Sequence, residues 1–479
     1  MRRLGGVLVC VVLAVSGAAV VPASAAGHRA PDVIAAANPG CSAGETQFTF
    51  VNTSDYEDTQ VFLTPITPGG SLQPAALIGA STPLSNGTSS DFYSSDPSTH
   101  SYYFCLNNTA TGRLWISLGQ PIPTGPGGLP SVQPTVTAPY RFGYVEFGPA
   151  GGSAVLDYSN VNDFDFTLDL QTFSTPGGST PAQSAVFSAN TCQIVHAMRT
   201  ALQEVGGDPG TAIQTSDASA TGRFVRVVSA LNGSPYEAAW PSMADYIAAV
   251  AAGGPIVVEG IYVGGPGTSD VQNVGWYYYT GTFTGTDLVL DGSRAGVTPN
   301  SGGSAGSTMT VPLSELAHGI YNQAINPPTN YTVAPPDLPD NPSNDLYAKM
   351  YNDLTSAFAY GYWGSGYGTG RDTADFWNPF SPPTLPTQGQ LAYPAKSAAF
   401  GSAPYNLYAK VLNQYSPDYA FPFNENFGAG GKGVSPLLDE PANGEVRMTL
   451  PADGWTDPAN ASSPCVAPAA VIVTPRFTG

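Results

Sequence analysis

Charge is the first thing in short supply. Only 11% of the 479 residues are charged, under half of the roughly 25% usual in soluble proteins. Basic residues are scarcest, with 16 Lys and Arg against 35 Asp and Glu and a net charge of −19. So acidic a chain offers no basic face to a phosphate backbone and no attraction to an anionic membrane surface. Neutral ligands such as polysaccharides remain open. Histidine is nearly absent: His28, His100, His196 and His318 are the four, too scattered for a Ser/His/Asp triad to be expected. No Cys-x-x-Cys pair exists, so structural zinc is not expected either. The G-x-S-x-G elbow, H-E-x-x-H, the Walker loop and the dinucleotide glycine pattern are all missing. No cofactor is expected. Beyond Val21 no apolar run approaches the ~18–20 residues that span a bilayer. No internal repeat is evident.

What is present begins with an export signal. Arg2 and Arg3 precede an apolar run, Leu4 to Val21, and then Ala23-Ser24-Ala25, a cleavage pattern of small residues. Residues 1–26 therefore read as a secretory signal peptide, and a secreted, extracellular protein is expected, with no membrane attachment after cleavage. Cys10 leaves with the signal. Cys41, Cys105, Cys192 and Cys465 remain, enough for two disulfides with three possible pairings. The expected pairing joins Cys41 to Cys465, tying the chain ends together, and leaves Cys105 to Cys192.

Gly and Pro are abundant, 55 and 45, and Tyr numbers 25, a loop-rich and weakly charged surface. Residues 27–40 read as a disordered leader. From Cys41 onward, short stretches rich in β-formers follow one another between turn residues: 46–52, 60–64, 101–106, 112–118, and the pair 142–147 and 154–158 around Gly148-Pro149-Ala150-Gly151-Gly152. This pattern predicts a sandwich or barrel. Helical patterns then appear at 189–205, 243–252, 344–358 and 405–414, with strands between them at 255–263, 276–282 and 287–290, and late strands at 444–450 and 467–474. The expected fold class is β-rich α+β. A β-sandwich or barrel domain spans 41–188, closed by a C-terminal strand at about 464–479. A mixed α/β domain spans 189–463, with a wide groove between the two. A monomer is expected.

With histidine and metal motifs absent, carboxylates carry the chemical potential of the chain, because a pair of them can run acid/base chemistry on a glycosidic bond unaided. The densest cluster is Tyr144-Val145-Glu146-Phe147, a hairpin turn, and Leu156-Asp157-Tyr158-Ser159-Asn160-Val161-Asn162-Asp163-Phe164-Asp165. Strand alternation allows only some of these to share the Glu146 face.

Here the sequence resembles glycoside hydrolase family 64, the laminaripentaose-producing type of β-1,3-glucanase, within the thaumatin-like superfamily. Gly112 to Gly119 resembles the family's R-(aromatic)-S-(apolar)-G strand. Tyr144 to Phe147 resembles its V-E-F-T strand, and Asp157 to Phe164 the D-x-S-x-V-D-x-F pattern. Tyr405 to Asn426 resembles its late helix with an aromatic-Pro-aromatic-acidic motif. Together these stretches run through nearly all of the chain after the signal, and a late pairing of chain ends is typical of thaumatin-like folds. The resemblance implies a thaumatin-like first domain and an exported hydrolase that cleaves β-1,3-glucan with inversion. Glu146 would be the general acid that protonates the leaving oxygen, and an Asp one hairpin later the base that activates water. Aligned through D-x-S-x-V the base position falls on Asn162; aligned through the following D-F it falls on Asp163, which is the residue chosen. A one-residue slip reverses the face of a strand side chain, and a bulge can restore it. The family's Thr after Glu-Phe is Gly148 here. Sugar contacts are expected from Tyr144, Tyr158, Asn160, Tyr362, Trp363, Phe423 and Glu425, since flat rings and neutral hydrogen-bonding groups suit a glucan. The alternative is a non-catalytic β-1,3-glucan-binding protein on the same scaffold, suggested by Asn162 and Gly148. A third reading is an exported structural or inhibitor-like protein.

Overall fold

The computed structural model describes residues 41–66, 82–83, 93–96, 100–107, 112–123, 134–150, 153–217, 219, 221–263, 274–292, 308–322, 329–334, 345–359, 361, 363, 371, 406–416, 419–420 and 438–466. The signal peptide, the leader and the late strand expected at 467–474 lie outside the described residues.

Alternating apolar residues build two six-stranded sheets that pack face to face. In the first, Glu45–Thr53 lies between Ser101–Asn107, antiparallel to it, and Glu445–Pro451, parallel to it, with Asp169–Phe173 beyond. In the second, Arg141–Ala150 lies between Gly112–Leu118 and Ser153–Ser159, all antiparallel. Phe48, Phe50, Phe104 and Met448 point inward from the first sheet, and Leu114, Ile116, Val145, Phe147 and Leu156 from the second; all are at most 4% exposed. The Phe48 and Phe147 rings meet across the sheets at 5.9 Å. Each such side chain withdrawn from water stabilises the fold by about 1.5–3 kcal/mol. The strand that joins the first sheet late in the chain is Glu445–Pro451, which precedes the expected 464–479 segment. A parallel neighbour needs a long crossover, and the whole middle of the chain supplies it.

A third, five-stranded antiparallel sheet runs from Ile256–Val263 to Thr332–Val333, backed by helices Leu313–Asn322 and Asp345–Ala359. The helix read at 189–205 spans Thr191–Glu204 and starts on a reciprocal cap: Asn190 Oδ1 accepts from the Gln193 N–H at 3.0 Å, and the Gln193 side chain accepts from the Asn190 N–H at 3.2 Å. Such a cap is worth about 0.5–2 kcal/mol. One buried cluster extends from Phe48 to Ala461, so the apolar core is continuous across residues 188–189. No helix among the described residues is long and apolar enough to cross a membrane.

The disulfides correct the expected pairing. Cys41 bonds Cys105, and Cys192 bonds Cys465. The first pairing follows from the sheet: Gln47 lies opposite Cys105, so the segment entering the Glu45–Thr53 strand starts beside that cysteine. The second anchors the first turn of the Thr191–Glu204 helix to the end of the described chain.

Glu440 is buried in this region at 7% exposure. Burial pushes its carboxyl up to about 7, against a partial downward pull from the Thr46 hydroxyl.

Two outcomes follow. Non-reducing peptide mapping will recover Cys41 joined to Cys105 and Cys192 joined to Cys465; a Cys41–Cys465 peptide would contradict this fold. The Glu440 carboxyl binds its proton more tightly folded than unfolded, so its contribution is full below about 4.5 and is lost as pH rises through about 7. Glu440→Gln, a neutral near-isostere, will match the parent near pH 5 in chemical denaturation and exceed it near pH 8 by up to roughly 3 kcal/mol.

Candidate active site

The site grows from the register of three strands. Arg113 lies opposite Glu146, and Glu146 opposite Asp157. Directly opposed residues of an antiparallel pair share a face, so Arg113, Glu146 and Asp157 form one row. Two residues along, Trp115, Tyr144 and Ser159 form the next row on that same face. Val145 and Phe147 alternate to the other side and fill the inter-sheet core.

Two like charges opposite each other are unfavourable, and the neighbouring guanidinium answers this. Arg113 Nε donates to Glu146 Oε1 at 2.7 Å, with each side chain one-third exposed. Burial works to lower the Arg113 guanidinium, but the charges of Glu146, Tyr144 and Asp157 outweigh it and hold it raised. The Arg113 head also lies 4.8 Å from the Tyr144 ring centre, and Tyr144 packs on Trp115 at 4.5 Å. Tyr144 accepts from the Ser159 hydroxyl at 3.2 Å. Its own hydroxyl is pushed up to about 12, first by burial, then by the negative charges of Glu146 and Asp163.

Asp163 enters by another route. Asp163–Phe164 pairs with Phe224–Val228 in a small three-stranded sheet. There Arg226, fully buried, lies 3.3 Å from Asp163 and 3.4 Å from Asp165. The same guanidinium donates to the Thr135, Ala138 and Tyr140 carbonyls and sits 4.3 Å from the Phe142 ring centre. Both carboxyls are buried around this one cation, and burial outweighs it, so both bind protons more readily than usual. Burial raises Asp163, the Asp165 charge raises it further, and Arg226 opposes. Asp165 is pushed up to about 6 by burial, against Arg226, the Phe142 N–H and Arg141.

Glu146 is thus partly open to solvent, whereas Asp163 is buried at 6% exposure. Tyr144 stands on the Glu146 face but is only 4% exposed, a support beneath the row rather than an open platform for sugar. Three expected sugar contacts are buried among packing partners. Tyr158 alternates to the core face, 3% exposed, and its hydroxyl donates to the Phe166 carbonyl at 2.8 Å. Gly143 makes room for it, since a Cβ there would meet the Tyr158 hydroxyl at 2.9 Å. Asn160 is 1% exposed, its carbonyl accepting from the Tyr408 hydroxyl at 2.6 Å. Trp363 is fully buried, packed on Phe358 at 6.1 Å. Tyr362, Phe423 and Glu425 lie outside the described residues. Arg113, Asp157 and Arg226 were not singled out from the sequence. Strand register could have found the first two; nothing local pointed to Arg226, 63 residues from Asp163.

No known protein-family model matches the chain, and no curated protein does. Among solved structures, the chain is similar to a β-1,3-glucanase domain (GH64) from Clostridium beijerinckii, with 14% identity, 86% of this chain and 100% of that one covered, and a TM-score of 0.49. It is similar to a laminaripentaose-producing β-1,3-glucanase in complex with laminaritetraose, at 19% identity, 86% and 99% coverage and a TM-score of 0.47. A third is the GH family 64 laminaripentaose-producing β-1,3-glucanase from Paenibacillus barengoltzii, at 12% identity, 88% and 78% coverage and a TM-score of 0.43.

The two arginines will respond differently to removal. Arg226→Met strands two buried carboxyls and will cost about 3–5 kcal/mol in denaturant unfolding. Arg113→Gln breaks a pair that is one-third exposed and will cost no more than about 1 kcal/mol. Equal losses would show that Arg226 does not bind the cluster together.

Proposed function

We propose that the chain is an exported hydrolase of β-1,3-glucan, of the family 64 type, working with inversion through Glu146 and Asp163. The observation that carries this reading is the row formed by Arg113, Glu146 and Asp157 beside Trp115 and Tyr144. A neutral polymer crossing this face would meet a partly exposed carboxyl held by one guanidinium. Glu146 would give its proton to the leaving glycosidic oxygen. Asp163 would take a proton from the attacking water, which requires the two carboxyls to be roughly 6.5–9.5 Å apart. Because Asp163 keeps its proton to higher pH than an ordinary Asp, the acidic limb of the rate would lie above the usual carboxylate range. Two disulfides suit an oxidising, extracellular setting, and the mostly uncharged surface suits a neutral substrate that is a polymer rather than an ion.

One observation favours the second reading, a glucan-binding protein without turnover. Asp163 is ion-paired with Arg226 and withdrawn from solvent, and a water-activating base needs access to water.

A single experiment separates the two. The purified chain is incubated with laminarin and with curdlan, alongside Glu146→Gln and Asp163→Asn. The hydrolase reading predicts oligosaccharide release by the parent, a loss of release of about 100-fold or more in Glu146→Gln, and retained adsorption to curdlan in both variants. Adsorption with no release by the parent supports the binder. Neither adsorption nor release sinks both readings. Unchanged turnover in Asp163→Asn removes Asp163 from the mechanism.

A further inference from the structure

A cavity of about 630 Å³ lies among helix Thr191–Glu204, strands Ile213–Thr215 and Phe224–Val228, and segment 137–139. None of Glu146, Asp157 and Asp163 lines it, though it adjoins the Arg226 cluster through Ala138, whose carbonyl accepts from Arg226. Its size falls within the roughly 300–1,000 Å³ of small-molecule sites.

Its lining is unusual for this chain. Thr211, Thr215 and Ser219 bring hydroxyls, Gln203 and Gln214 bring amides, and the single charged group is Arg199. In a chain with 35 acidic residues and 16 basic ones, a wall with a cation and no carboxylate is against expectation. The guanidinium donates to the Ser462 hydroxyl at 3.2 Å and to the Ala461 carbonyl at 3.3 Å. Both partners are neutral, and Arg199 meets no carboxylate among the described residues. Burial lowers its guanidinium with no charge opposing, the mark of a cation half withdrawn from water without a counter-ion. Two acids adjacent in sequence to lining residues are already engaged. Asp208 accepts from the Gly210 N–H at 2.9 Å and the Thr211 hydroxyl at 2.7 Å. Asp217 accepts from the Ser219 N–H at 3.0 Å and its hydroxyl at 2.8 Å.

We propose that this cavity binds a small hydroxylated molecule bearing one carboxylate, a sugar acid, with Arg199 holding the carboxylate. One planar guanidinium matches one carboxylate in charge and in bidentate geometry; a phosphate dianion would leave a charge unanswered. The Thr211, Thr215 and Ser219 hydroxyls already donate to Asp208, the Ser219 carbonyl and Asp217, so their oxygens would accept from the sugar hydroxyls alongside Gln203, and Pro139, Ile213 and Val225 offer apolar surface to the ring carbons. This proposal does not rest on the reading of Glu146.

The test is titration calorimetry on the full chain with glucuronate, glucose and acetate as separate probes. Glucuronate is expected to bind, with glucose and acetate each about tenfold weaker or worse, since a charge-assisted hydrogen bond carries at least that much. Arg199→Gln should reduce glucuronate to the level of glucose. Gln203→Trp, at an exposed lining position one helical turn from Arg199, should weaken it by occlusion while keeping the cation, and it carries the test if Arg199→Gln does not fold. The proposal is overturned if glucuronate shows no binding at millimolar concentration, if acetate or glucose binds equally well, or if the folded variants bind as the parent does.

Discussion

A single buried guanidinium, that of Arg226, holds together the parts of this protein that matter most to its candidate chemistry. It reaches Asp163 and Asp165 on one side and the carbonyls of Thr135, Ala138 and Tyr140 on the other, with the Phe142 ring beside it. The small sheet, the 134–140 segment and the Arg141–Ala150 strand are thereby tied at one point. An isolated charge could not survive such burial; here two carboxyls and three carbonyls replace the lost water. Because burial penalises the charged form of both acids more than one shared cation relieves it, the cluster holds protons above the normal range, which links the stability of this corner to pH.

The scarcity of charge over the whole chain makes the placement of the buried charges informative. Arg141 pairs with Asp453, 312 residues away, and also grips the Asp165 carbonyl. Arg447 pairs with Glu445 on the strand that completes the first sheet, over the Phe173 ring at 4.1 Å. The Arg141 contacts join segments distant in sequence, where apolar packing alone would accept more than one arrangement, whereas Arg447 and Glu445 stand two residues apart on one strand. Such pairs contribute little net energy against a well-packed apolar substitute, but leaving one partner alone is costly, so wrong arrangements are penalised. The partly exposed Arg113–Glu146 pair differs in kind: water still reaches it, and its value lies in positioning a carboxyl next to Asp157 and Tyr144 rather than in stability.

Much of the secondary structure was legible because it rests on local period. The strands at 101–106, 112–118 and 256–263 and the helices at 191–204 and 345–359 sit within a residue or two of where alternation or 3.6-residue spacing put them. Helix Leu313–Asn322 and strand Phe224–Val228 were not read. The first is short and follows Pro312; the second, with every residue buried, lacks the alternation of a half-exposed strand. Of the candidate site, Glu146 was legible from its strand and motif. The burial of Tyr158, Asn160 and Trp363 was not legible, because ring and amide chemistry serves packing as readily as binding.

The amino-acid order by itself carried the signal-like pattern, the β-rich class and the expectation that carboxylates would supply the chemistry, since each follows from composition or from spacing within a few residues. Tertiary structure decided the rest: which cysteines pair, that Glu146 faces Asp157 and Arg113, and that Asp163 lies against Arg226. These depend on strand register and on contacts between residues tens to hundreds of positions apart, and short-range pattern carries no information about either.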